Sequence, residues 1–366
     1  MLKEIEIQNF RCFEHIKISG FERVNLIGGK NNAGKTALLE ALFLNFVPRP
    51  SSILLLRELR KESSLAMKAM PDKAWDNLFY ALTIKLDEIV IFGKNDDNST
   101  SKIELSINNI NEIMKTINSE KIMNDLVRDS GVTVISINSI LTTPNGQEYC
   151  NSSSLIASSR GLIIANDISN ENDIYTNEEV PIIPSFTRIS GIELTEAYDR
   201  ARLDDKDSEV LKAFQVIDPA IESVESFSIG EPTLYLRRKG EKRLPLSLFG
   251  DAMNRVAQII LKLVNGEHKI LLIDEIENGI HHTNQRNFWR VLFRLAVELD
   301  SQIFATTHSL EMLQAFADVG LEPNQKCSSA YFELARKLKT NQIIGSRLDL
   351  ETLSYAIEHQ EGVRGE

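Results

Sequence analysis

The sequence predicts an α/β protein in which a mixed β-sheet with flanking helices is interrupted by an inserted β-rich and helical region. Strand and helix patterns alternate at the start of the chain and again in its last third, as in parallel strands joined by crossover helices. Between them the composition shifts toward Asn, Ser, Asp and Ile. We therefore expect an N-terminal lobe over residues 1–95, an insert over residues 96–240 and a C-terminal lobe over residues 241–366.

The N-terminal lobe begins with strand patterns and continues with a helix. Residues 2–9 alternate apolar and charged side chains as a half-buried strand does, and residues 22–27 form a second, more apolar run. A glycine-rich stretch follows. The apolar spacing from residue 35 to residue 46 then predicts a helix that ends before Pro48.

The insert begins as a β-rich segment and later becomes helical. Alternation over residues 101–108 and turn residues at 143–146 predict strands, whereas residues 209–217 place their apolar side chains on one helical face. In the C-terminal lobe, the patterns predict two strands and two helices, over residues 269–273, 284–299, 302–306 and 309–316.

Composition limits the function classes. The net charge of −11 argues against a protein whose whole surface coats nucleic acid. The apolar runs are far shorter than the roughly 20 residues that span a bilayer, so no membrane contact is expected. The N-terminus lacks the apolar core of a signal peptide, and Cys12, Cys150 and Cys327 fit neither a disulfide framework nor a CxxC pattern. These features predict a cytoplasmic protein.

One basic patch stands out from this acidic background. Five of the seven residues 237–243 are Lys or Arg, and Gly240 lies where a hairpin would turn. The patch is interpreted either as a solvated hairpin tip or as a contact for DNA or an acidic partner.

The glycine-rich stretch fits the pattern GxxxxGK[ST] between an apolar strand and a helix. Backbone N–H groups of such a loop bind phosphate oxygens, the lysine reaches the β and γ phosphates, and the hydroxyl holds Mg²⁺. The sequence thus predicts a nucleoside triphosphate site. The pattern spans residues 29–36, and the predicted site residues in it are Gly29, Asn31, Asn32, Ala33, Gly34, Lys35 and Thr36.

Two further strands of the C-terminal lobe end in polar residues. Asp274 and Glu275 follow an apolar strand at its carboxyl end, where ligands of α/β sheets bind. Asp274 is predicted to hold Mg²⁺, and Glu275 to accept a proton from the attacking water. His308 follows the next strand, so we expect it to reach the γ phosphate; a structural histidine is the alternative.

A fourth segment precedes the amphipathic run over residues 256–264. A serine hydroxyl and backbone N–H groups at a helix start suit phosphate oxygens, which predicts a second anion site and a nucleotide held between two subunits. A serine-capped core helix is the alternative. The candidate residues are Ser247, Phe249, Gly250 and Asp251.

A competing hypothesis concerns a metal site. Glu277 and His281 have the spacing of neighbours on one helical face, and His282 follows directly. There is no HExxH motif, and these residues follow the Asp-Glu strand closely.

These motifs, in this order, resemble the ABC-type ATPases of the SMC, RecF and OLD group, and the OLD-like branch in particular. The resemblance extends over nearly the whole chain and implies an ABC-type ATPase head that uses ATP with Mg²⁺. It also implies that Arg11 lies near the nucleotide and Asn31 near the γ phosphate. Ser247 and Gly250 would reach the ATP of the partner subunit, and residues 277–281 would match the dimer-interface loop.

The chain departs from this group in two respects. The glutamine that usually follows the P-loop helix has no candidate between Thr36 and Gly146. Full OLD nucleases carry a C-terminal Toprim domain, whereas 58 residues follow His308 and show no acidic nuclease cluster. The resemblance therefore implies that effector activity comes from another polypeptide, as in two-gene systems such as PARIS. The long heptad arms of SMC proteins are also lacking.

Three functional hypotheses follow. The first is an ATPase that forms a homodimer or higher homo-oligomer around ATP and controls a separate, nuclease-like effector in bacterial anti-phage defence. The second is a RecF-like repair ATPase that contacts duplex DNA, since the first 70 residues contain 11 Lys and Arg against 7 Asp and Glu. The third is an ATP-gated scaffold with negligible turnover.

Overall fold

The computed structural model describes residues 1–82, 88–108, 131–166, 182–185, 190–266 and 269–359. Parts of the predicted insert therefore lie outside the described residues. The chain divides into two compact units. Unit 1 contains Met1–Gly20, Thr36–Asn177 and Arg336–Gly345, and unit 2 contains Phe21–Lys35, Glu178–Ala335 and Ser346–Glu366. Each unit thus combines segments that are distant in sequence, whereas the predicted lobes followed chain order.

The described residues form strands β1 to β16 and helices α1 to α9. The strands are Leu2–Phe10, Phe13–Ser19, Val24–Gly28, Ile89–Asn95, Thr100–Asn108, Thr133–Thr142, Glu148–Ser158, Gly161–Asn166, Ile182–Ile183, Ile221–Phe227, Thr233–Arg238, Leu244–Pro245, Ile270–Ile273, Gln302–Thr306, Ser329–Arg336 and Ile343–Leu348. The helices are Lys35–Phe46, Pro50–Leu59, Ser64–Ala69, Gly191–Leu203, Asp207–Ile217, Asp251–Val264, His282–Glu298, Leu310–Gly320 and Leu350–Glu358.

Unit 1 contains a seven-stranded antiparallel sheet with the order β2-β1-β4-β5-β6-β7-β8. In β1, the alternating residues Ile5 and Ile7 are fully buried, as the apolar and charged alternation predicted. The predicted strand over residues 101–108 is confirmed as β5. The predicted turn joins β6 to β7, where Gly146 has a positive φ and the Thr143 N–H donates to the carbonyl of Gln147.

Unit 2 is built on parallel strands. Strands β15, β3, β14, β13 and β9 are neighbours in that order, and all four pairings are parallel, as predicted for the C-terminal lobe. The register pairs Ile27 of β3 with Thr306 of β14, and Ala305 of β14 with Ile273 of β13. The carboxyl ends of these three strands therefore meet at one edge of the sheet.

The core of unit 2 fixes the strands that carry the site. Strand β3 is buried along its whole length, and the buried Asn25 amide donates to the carbonyl of Ile303 on β14. Helices α7 and α8 pack through the ring of Trp289, whose centroid lies 4.9 Å from that of Phe316 in an edge-to-face arrangement. Among the described residues, no helix is long and apolar enough to cross a bilayer.

Candidate functional site

The glycine-rich loop connects β3 to α1, as predicted. A Cβ atom on Gly28 would lie 2.3 Å from the Tyr331 hydroxyl, and one on Gly29 would lie 2.3 Å from the carbonyl oxygen of Leu334. The φ angles of Gly29 and Gly34 are 135° and 94°. Side chains are therefore excluded from the base of the loop, which leaves its backbone accessible to an anion.

The side chains of the loop have different surroundings. Asn31, Asn32 and Thr36 are exposed, whereas Ala33 is buried. The ammonium of Lys35 donates to two carbonyl oxygens of its own loop, Gly29 at 2.7 Å and Lys30 at 3.0 Å. Lys35 is thus held over the loop. Thr36 is the second residue of α1, and its predicted role as a metal ligand stays a prediction.

Asp274 follows β13 and is held on several sides. Its carboxylate is 8% exposed, and Oδ1 accepts a hydrogen bond of 2.6 Å from the Thr306 hydroxyl at the end of β14. The buried guanidinium of Arg255, from helix α6, donates to the carbonyl oxygens of Asp274 and Pro184, both at 2.8 Å. The structure therefore fixes the Asp274 carboxylate at the edge where β3 and β14 also end.

Glu275 occupies a strained backbone position directly after Asp274. Its φ is 48°, in the left-handed region that residues other than glycine rarely adopt, and such positions concentrate at functional sites. The Glu275 N–H donates to the Thr306 hydroxyl at 2.9 Å. The side-chain amide of Asn278 donates to the Glu275 carboxylate at 2.8 Å and to the carbonyl of Ser185 at 3.1 Å. Asn278 therefore orients this carboxylate.

His308 lies beyond β14, and its partner is Glu277. One carboxylate oxygen of Glu277 accepts a hydrogen bond of 2.9 Å from the backbone N–H of His308. The ring Nδ1 of His308 lies 2.9 Å from the same oxygen, within ion-pair distance. The His308 side chain is 50% exposed, whereas that of Glu277 is 10% exposed. The predicted histidine is thus anchored by a carboxylate for which the sequence predicted other roles.

The charged side chains of the loop and of the strand ends influence one another. Burial lowers the pKa of Lys35, while the charges of Asp274, Glu277 and Glu275 oppose that shift. Burial likewise lowers the pKa of Arg255, and the same three carboxylates oppose it. Three carboxylates and two cations therefore interact at the strand ends of unit 2.

The predicted signature segment forms a short 3₁₀ turn, Leu246–Phe249, before helix α6. Ser247 is exposed and is not the helix cap; Gly250 is the N-cap residue, with φ 87° and no side-chain cap. Asp251 is the first helical residue. The Phe249 ring lies beneath the guanidinium of Arg238, 4.8 Å from its centroid. The predicted role of this segment in a partner's nucleotide site stays a prediction.

Arg11 belongs to unit 1 and bonds within it. Its Nε donates to Glu40 at 3.0 Å and its Nη1 donates to the carbonyl of Asn77 at 2.9 Å. Nη2 is buried without a hydrogen-bond partner among the described residues. The predicted contact with the nucleotide stays a prediction.

The competing metal hypothesis finds no support in the geometry. Glu277 is bonded to His308, and the ring Nδ1 of His281 is within 2.9 Å of the Thr283 hydroxyl at the start of α7. In the part of the chain that the structure describes, no group of three or more His, Cys, Asp or Glu side chains is arranged to hold a metal.

Two residues of the site escaped the sequence prediction. Arg255 had a usable signal, since a charged residue four positions before the buried Ile259 shares a face with the apolar side of α6. Asn278 had none, because an Asn after a strand is ordinary in loops.

Part of the site lies in a segment that matches a known protein family. Residues 70–313 match the family model described as "AAA domain, putative AbiEii toxin, Type IV TA system". The chain belongs to this family. The matched span includes Asp274, Glu275 and His308 but not the glycine-rich loop, so the loop is supported by its own pattern and geometry.

Curated relatives agree with an ATPase assignment. The "ATP/GTP phosphatase" of Helicobacter pylori is 25% identical over 390 residues, covering 100% of both chains. The Rad50 ATPase of Archaeoglobus fulgidus is 46% identical over 46 residues, or 13% of this chain and 5% of that protein. RecF of Bacillus mycoides is 42% identical over 43 residues, or 12% of each chain.

A solved structure supports the fold. The SMC head bound to the C-winged helix domain of ScpA has a TM-score of 0.51 and 11% identity, with 96% of this chain and 98% of that chain covered. At this identity the likeness concerns the fold alone. The predicted α/β head with a mixed sheet and flanking helices is confirmed, since the SMC head has the same kind of fold.

Proposed function

We propose that the chain binds and hydrolyses ATP at the strand ends of unit 2, dimerises around the nucleotide and so controls a separate effector. The parallel register of β3, β14 and β13, which brings the glycine-rich loop, His308 and the carboxylates after β13 to one edge of the sheet, carries this proposal. Phosphoryl transfer to water needs a cation for the phosphates, a carboxylate for the metal and a group that orients the water. All three types of group meet at this edge.

Lys35 is the phosphate ligand in this proposal. Its ammonium donates to the carbonyls of Gly29 and Lys30. The β and γ phosphates would replace these neutral acceptors with charged ones, which form stronger hydrogen bonds. Backbone N–H groups of the loop, with Asn31 near the γ phosphate, would complete the cradle. The preference for ATP over GTP rests on family resemblance, because such a loop does not contact the base.

Asp274 fits a Mg²⁺ site. Its carboxylate is buried at a strand end, and the Thr306 hydroxyl fixes one of its oxygens, as suits a cation that needs rigid oxygen ligands. Asp274 would hold the ion, and Thr36 stays the second metal ligand that the loop pattern predicts. The bound ion supplies positive charge to the phosphate oxygens.

Glu275 is the proposed base for the attacking water. Asn278 and the strained backbone hold its carboxylate one residue beyond Asp274, so that it would remain available to water. A carboxylate in this position can accept the proton of a water aligned with the γ phosphate. His308 would donate to a phosphate oxygen on the same side.

A second subunit would complete the site. The start of helix α6 has no side-chain cap, so its N–H groups suit the phosphates of a partner's nucleotide. The trans contacts are assigned to the signature residues Ser247, Phe249, Gly250 and Asp251. ATP then joins two subunits, and hydrolysis separates them.

The effector role rests on resemblance to OLD-like ATPases, which implies bacterial anti-phage defence together with a nuclease-like partner. The family description names a toxin of a toxin–antitoxin system, which also supports action with a second protein. Recovery of the natively expressed chain, followed by identification of proteins bound only with ATP, tests this part. Recombination proteins in place of an effector would contradict it.

Glu275→Gln tests the catalytic part. We expect phosphate release to fall by about 100-fold or more while ATP is retained, because the base is lost but the phosphate ligands remain. Light scattering should show the variant as an ATP-dependent dimer. Glu298→Gln, on helix α7 and paired with Arg294, serves as the control. Unchanged turnover in Glu275→Gln would refute the base, and ATP binding without any wild-type turnover would favour the nucleotide-gated scaffold.

Direct DNA binding is the second candidate, favoured by the short matches to Rad50 and RecF. The basic hairpin gives it less support than its sequence suggested. Arg238 pairs with Asp218 at 2.6 Å, and Arg243 pairs with Glu225 at 2.7 Å. Duplex binding by the isolated chain that weakens steeply with salt would favour this candidate.

A further inference from the structure

The basic patch over residues 237–243 includes a side chain that contacts the predicted signature segment. Arg238 lies at the end of β11, and its guanidinium contacts two groups of unit 2. Its Nε donates to the Asp218 carboxylate at 2.6 Å, and its Cζ atom lies 4.8 Å from the centre of the Phe249 ring. A residue of the basic patch is therefore bound to the segment that is assigned to the partner's nucleotide site.

The groups that hold Arg238 are fixed independently of the signature segment. Asp218 ends helix α5, where its N–H donates to the carbonyl of Phe214. Its second carboxylate oxygen accepts from the N–H of Ala220 at 3.1 Å. The N–H of Lys239, directly after Arg238, donates to the carbonyl of Ala220 at 2.8 Å. The backbone of Arg238 and the carboxylate that binds it thus have their own contacts.

The turn Leu246–Phe249, called the signature turn below, contacts the protein through its first and last side chains. In a 3₁₀ helix, side chains three positions apart lie above one another. Leu246 is 3% exposed, and Phe249 packs against the core of unit 2 while remaining partly exposed. Ser247 and Leu248 are exposed. The turn therefore presents Ser247 outward while Leu246 and Phe249 attach it to unit 2.

The junction between the signature turn and helix α6 depends on few contacts. Gly250 is the N-cap residue, with φ 87° and no side-chain cap, and its carbonyl accepts from the side-chain amide of Asn254 at 2.9 Å. Phe249 is the last side chain before this uncapped start. The position of its ring therefore influences the direction in which Ser247 and the backbone of Gly250 point.

Arginine can make both contacts at once. Its planar guanidinium donates to a carboxylate and can also lie over an aromatic ring, which attracts the positive charge through its electron-rich face. Asp218 and Phe249 offer these two kinds of partner to the same guanidinium.

We propose that Arg238 is a positioning residue of the signature turn. Asp218 fixes its guanidinium, and the guanidinium fixes the ring of Phe249, so that Ser247 and Gly250 face the nucleotide of the partner subunit. This inference rests on the proposed function, in which that turn acts in trans. It also gives Arg238 an internal role in place of a contact with DNA.

The dependence of turnover on protein concentration tests this role. In Arg238→Gln, the protein concentration that gives half-maximal turnover should rise by about 5- to 10-fold, because the turn is no longer held for the partner. ATP affinity measured in dilute protein should stay within about twofold of the wild type, since the glycine-rich loop is unchanged. An unchanged half-maximal concentration in Arg238→Gln would overturn the proposal.

Arg237→Gln is the matched control. It makes the same change of charge at the neighbouring position of β11, where Arg237 lies 3.6 Å from Glu222. We expect wild-type dependence on protein concentration in this variant. An equal shift in Arg237→Gln and Arg238→Gln would show a general effect of charge and would overturn the proposal.

Arg238→Lys separates the shape of the side chain from its charge. Lysine keeps the positive charge but lacks the planar group that makes both contacts, so the half-maximal concentration should rise by about threefold or more. Duplex DNA binding through charge would be retained in this variant. A wild-type half-maximal concentration in Arg238→Lys would show that charge alone matters and would overturn the positioning role.

A double-mutant cycle tests whether Arg238 acts through the ring. Phe249→Leu keeps an apolar side chain but removes the aromatic face. Adding Arg238→Gln to Phe249→Leu should raise the half-maximal concentration by less than about twofold. Shifts that multiply in the double variant would show that Arg238 acts independently of Phe249, which would overturn the proposal.

Mixed subunits locate the defect within the dimer. Arg238→Gln keeps its own glycine-rich loop, and Lys35→Ala keeps its own signature turn, so a dimer of the two contains one intact composite site. Turnover of the mixture should exceed the sum of the two separate proteins. A general loss of folding in Arg238→Gln would give no such gain and would overturn the proposal.

A second mixture separates this inference from the proposed function. Ser247→Arg changes the signature turn directly, so mixing it with Lys35→Ala should also raise turnover above the sum. No gain in this pair would refute the trans site and this inference with it. A gain in this pair, but none when Arg238→Gln replaces Ser247→Arg, would refute the positioning role alone.

Discussion

The two units each contain a cluster of charged residues, and the clusters differ in the groups that offset the cost of removing these charges from water. The arginine cluster in unit 1 consists of Arg11, Glu40, Arg57, Arg60 and Glu62. The strand-end cluster in unit 2 consists of Lys35, Arg255, Asp274, Glu275 and Glu277. Each cluster contains five charged residues, but the partners of these charges differ.

In the arginine cluster, the charges pair with one another. Glu40 is 2% exposed and accepts hydrogen bonds from Arg11 at 3.0 Å and from Arg60 at 2.6 Å. Arg57 lies 3.1 Å from Glu62. Ion pairs between these side chains offset the cost of removing their charges from water. Little charge is therefore left to bind a ligand.

In the strand-end cluster, the cations bond to backbone carbonyls, and the carboxylates accept from a hydroxyl, an amide and the backbone N–H of a histidine. These neutral partners hold the charges in place without cancelling them. The two clusters contain the same number of charged residues but differ in their partners. Charges that pair with one another form a structural cluster, whereas charges held by neutral groups remain available for a charged ligand.

The largest effect is expected in the arginine cluster. Glu40→Ala leaves Arg11 and Arg60 without their buried carboxylate, so the free energy of unfolding should fall by about 3–5 kcal/mol. Denaturant unfolding measures this, with the exposed Glu58→Ala on α2 as the control. Unfolding of Glu40→Ala at the wild-type midpoint would break the comparison.

The second largest effect, a loss of ATP affinity, is expected in the strand-end cluster. Lys35→Ala removes the proposed phosphate ligand, so ATP affinity should fall by about 100-fold or more, or roughly 2.7 kcal/mol. The midpoint of unfolding should move little, because Lys35 bonds to loop carbonyls rather than to a carboxylate. Calorimetric titration measures the affinity, and Lys30→Ala in the same loop should bind ATP like the wild type. Preserved affinity in Lys35→Ala would exclude the loop as the nucleotide site.

A smaller effect is expected at Arg255. Lysine keeps the charge but lacks the fork that donates to the carbonyls of both Asp274 and Pro184. We expect Arg255→Lys to lower kcat by about 10-fold, through a displaced Asp274, and to leave ATP binding almost unchanged. Lys262→Arg, on the same helix, is the control. Wild-type kcat in Arg255→Lys would show that the cluster does not depend on this contact.

The smallest effect is expected at Asp76, which lies next to the arginine cluster in sequence. Burial raises the pKa of Asp76, whose neighbour Asn77 accepts from Arg11. A raised folded pKa favours the protonated form, so stability from this group is present below the unfolded value of 3.8 and is lost as pH rises. Asp76→Asn should therefore be more stable than the wild type at pH 7, by up to about 1 kcal/mol, and equal to it near pH 3. Unfolding curves at both pH values measure this, and an equal difference at both would contradict the burial argument.

The candidate site could be predicted in large part because its residues follow local patterns. The glycine-rich loop between a strand and a helix, the carboxylates after β13 and the histidine after β14 are each visible within a short window. Parallel strands then bring their carboxyl ends to one edge, so the meeting of Lys35, Asp274 and His308 follows from the fold class.

The assignment of chain segments to the two units could not be predicted in this way. Chain order suggested three consecutive lobes, whereas β1 pairs with β4 and both belong to a sheet that extends to β8. Strand pairing depends on contacts between distant segments, and the alternation of apolar residues identifies a face without identifying a neighbour.

The sequence by itself determined where the glycine-rich loop and the polar strand ends lie, because backbone turns and strand ends are encoded locally. Only the tertiary structure decided which side chains meet there. It joined Glu277 to His308, Arg255 to the backbone of Asp274 and Arg11 to Glu40. Such partners depend on distances of a few ångströms between residues that are between 19 and 31 positions apart. The periodicity of the sequence contains no information about those distances, because they arise only when the packed core has fixed every strand and helix in place.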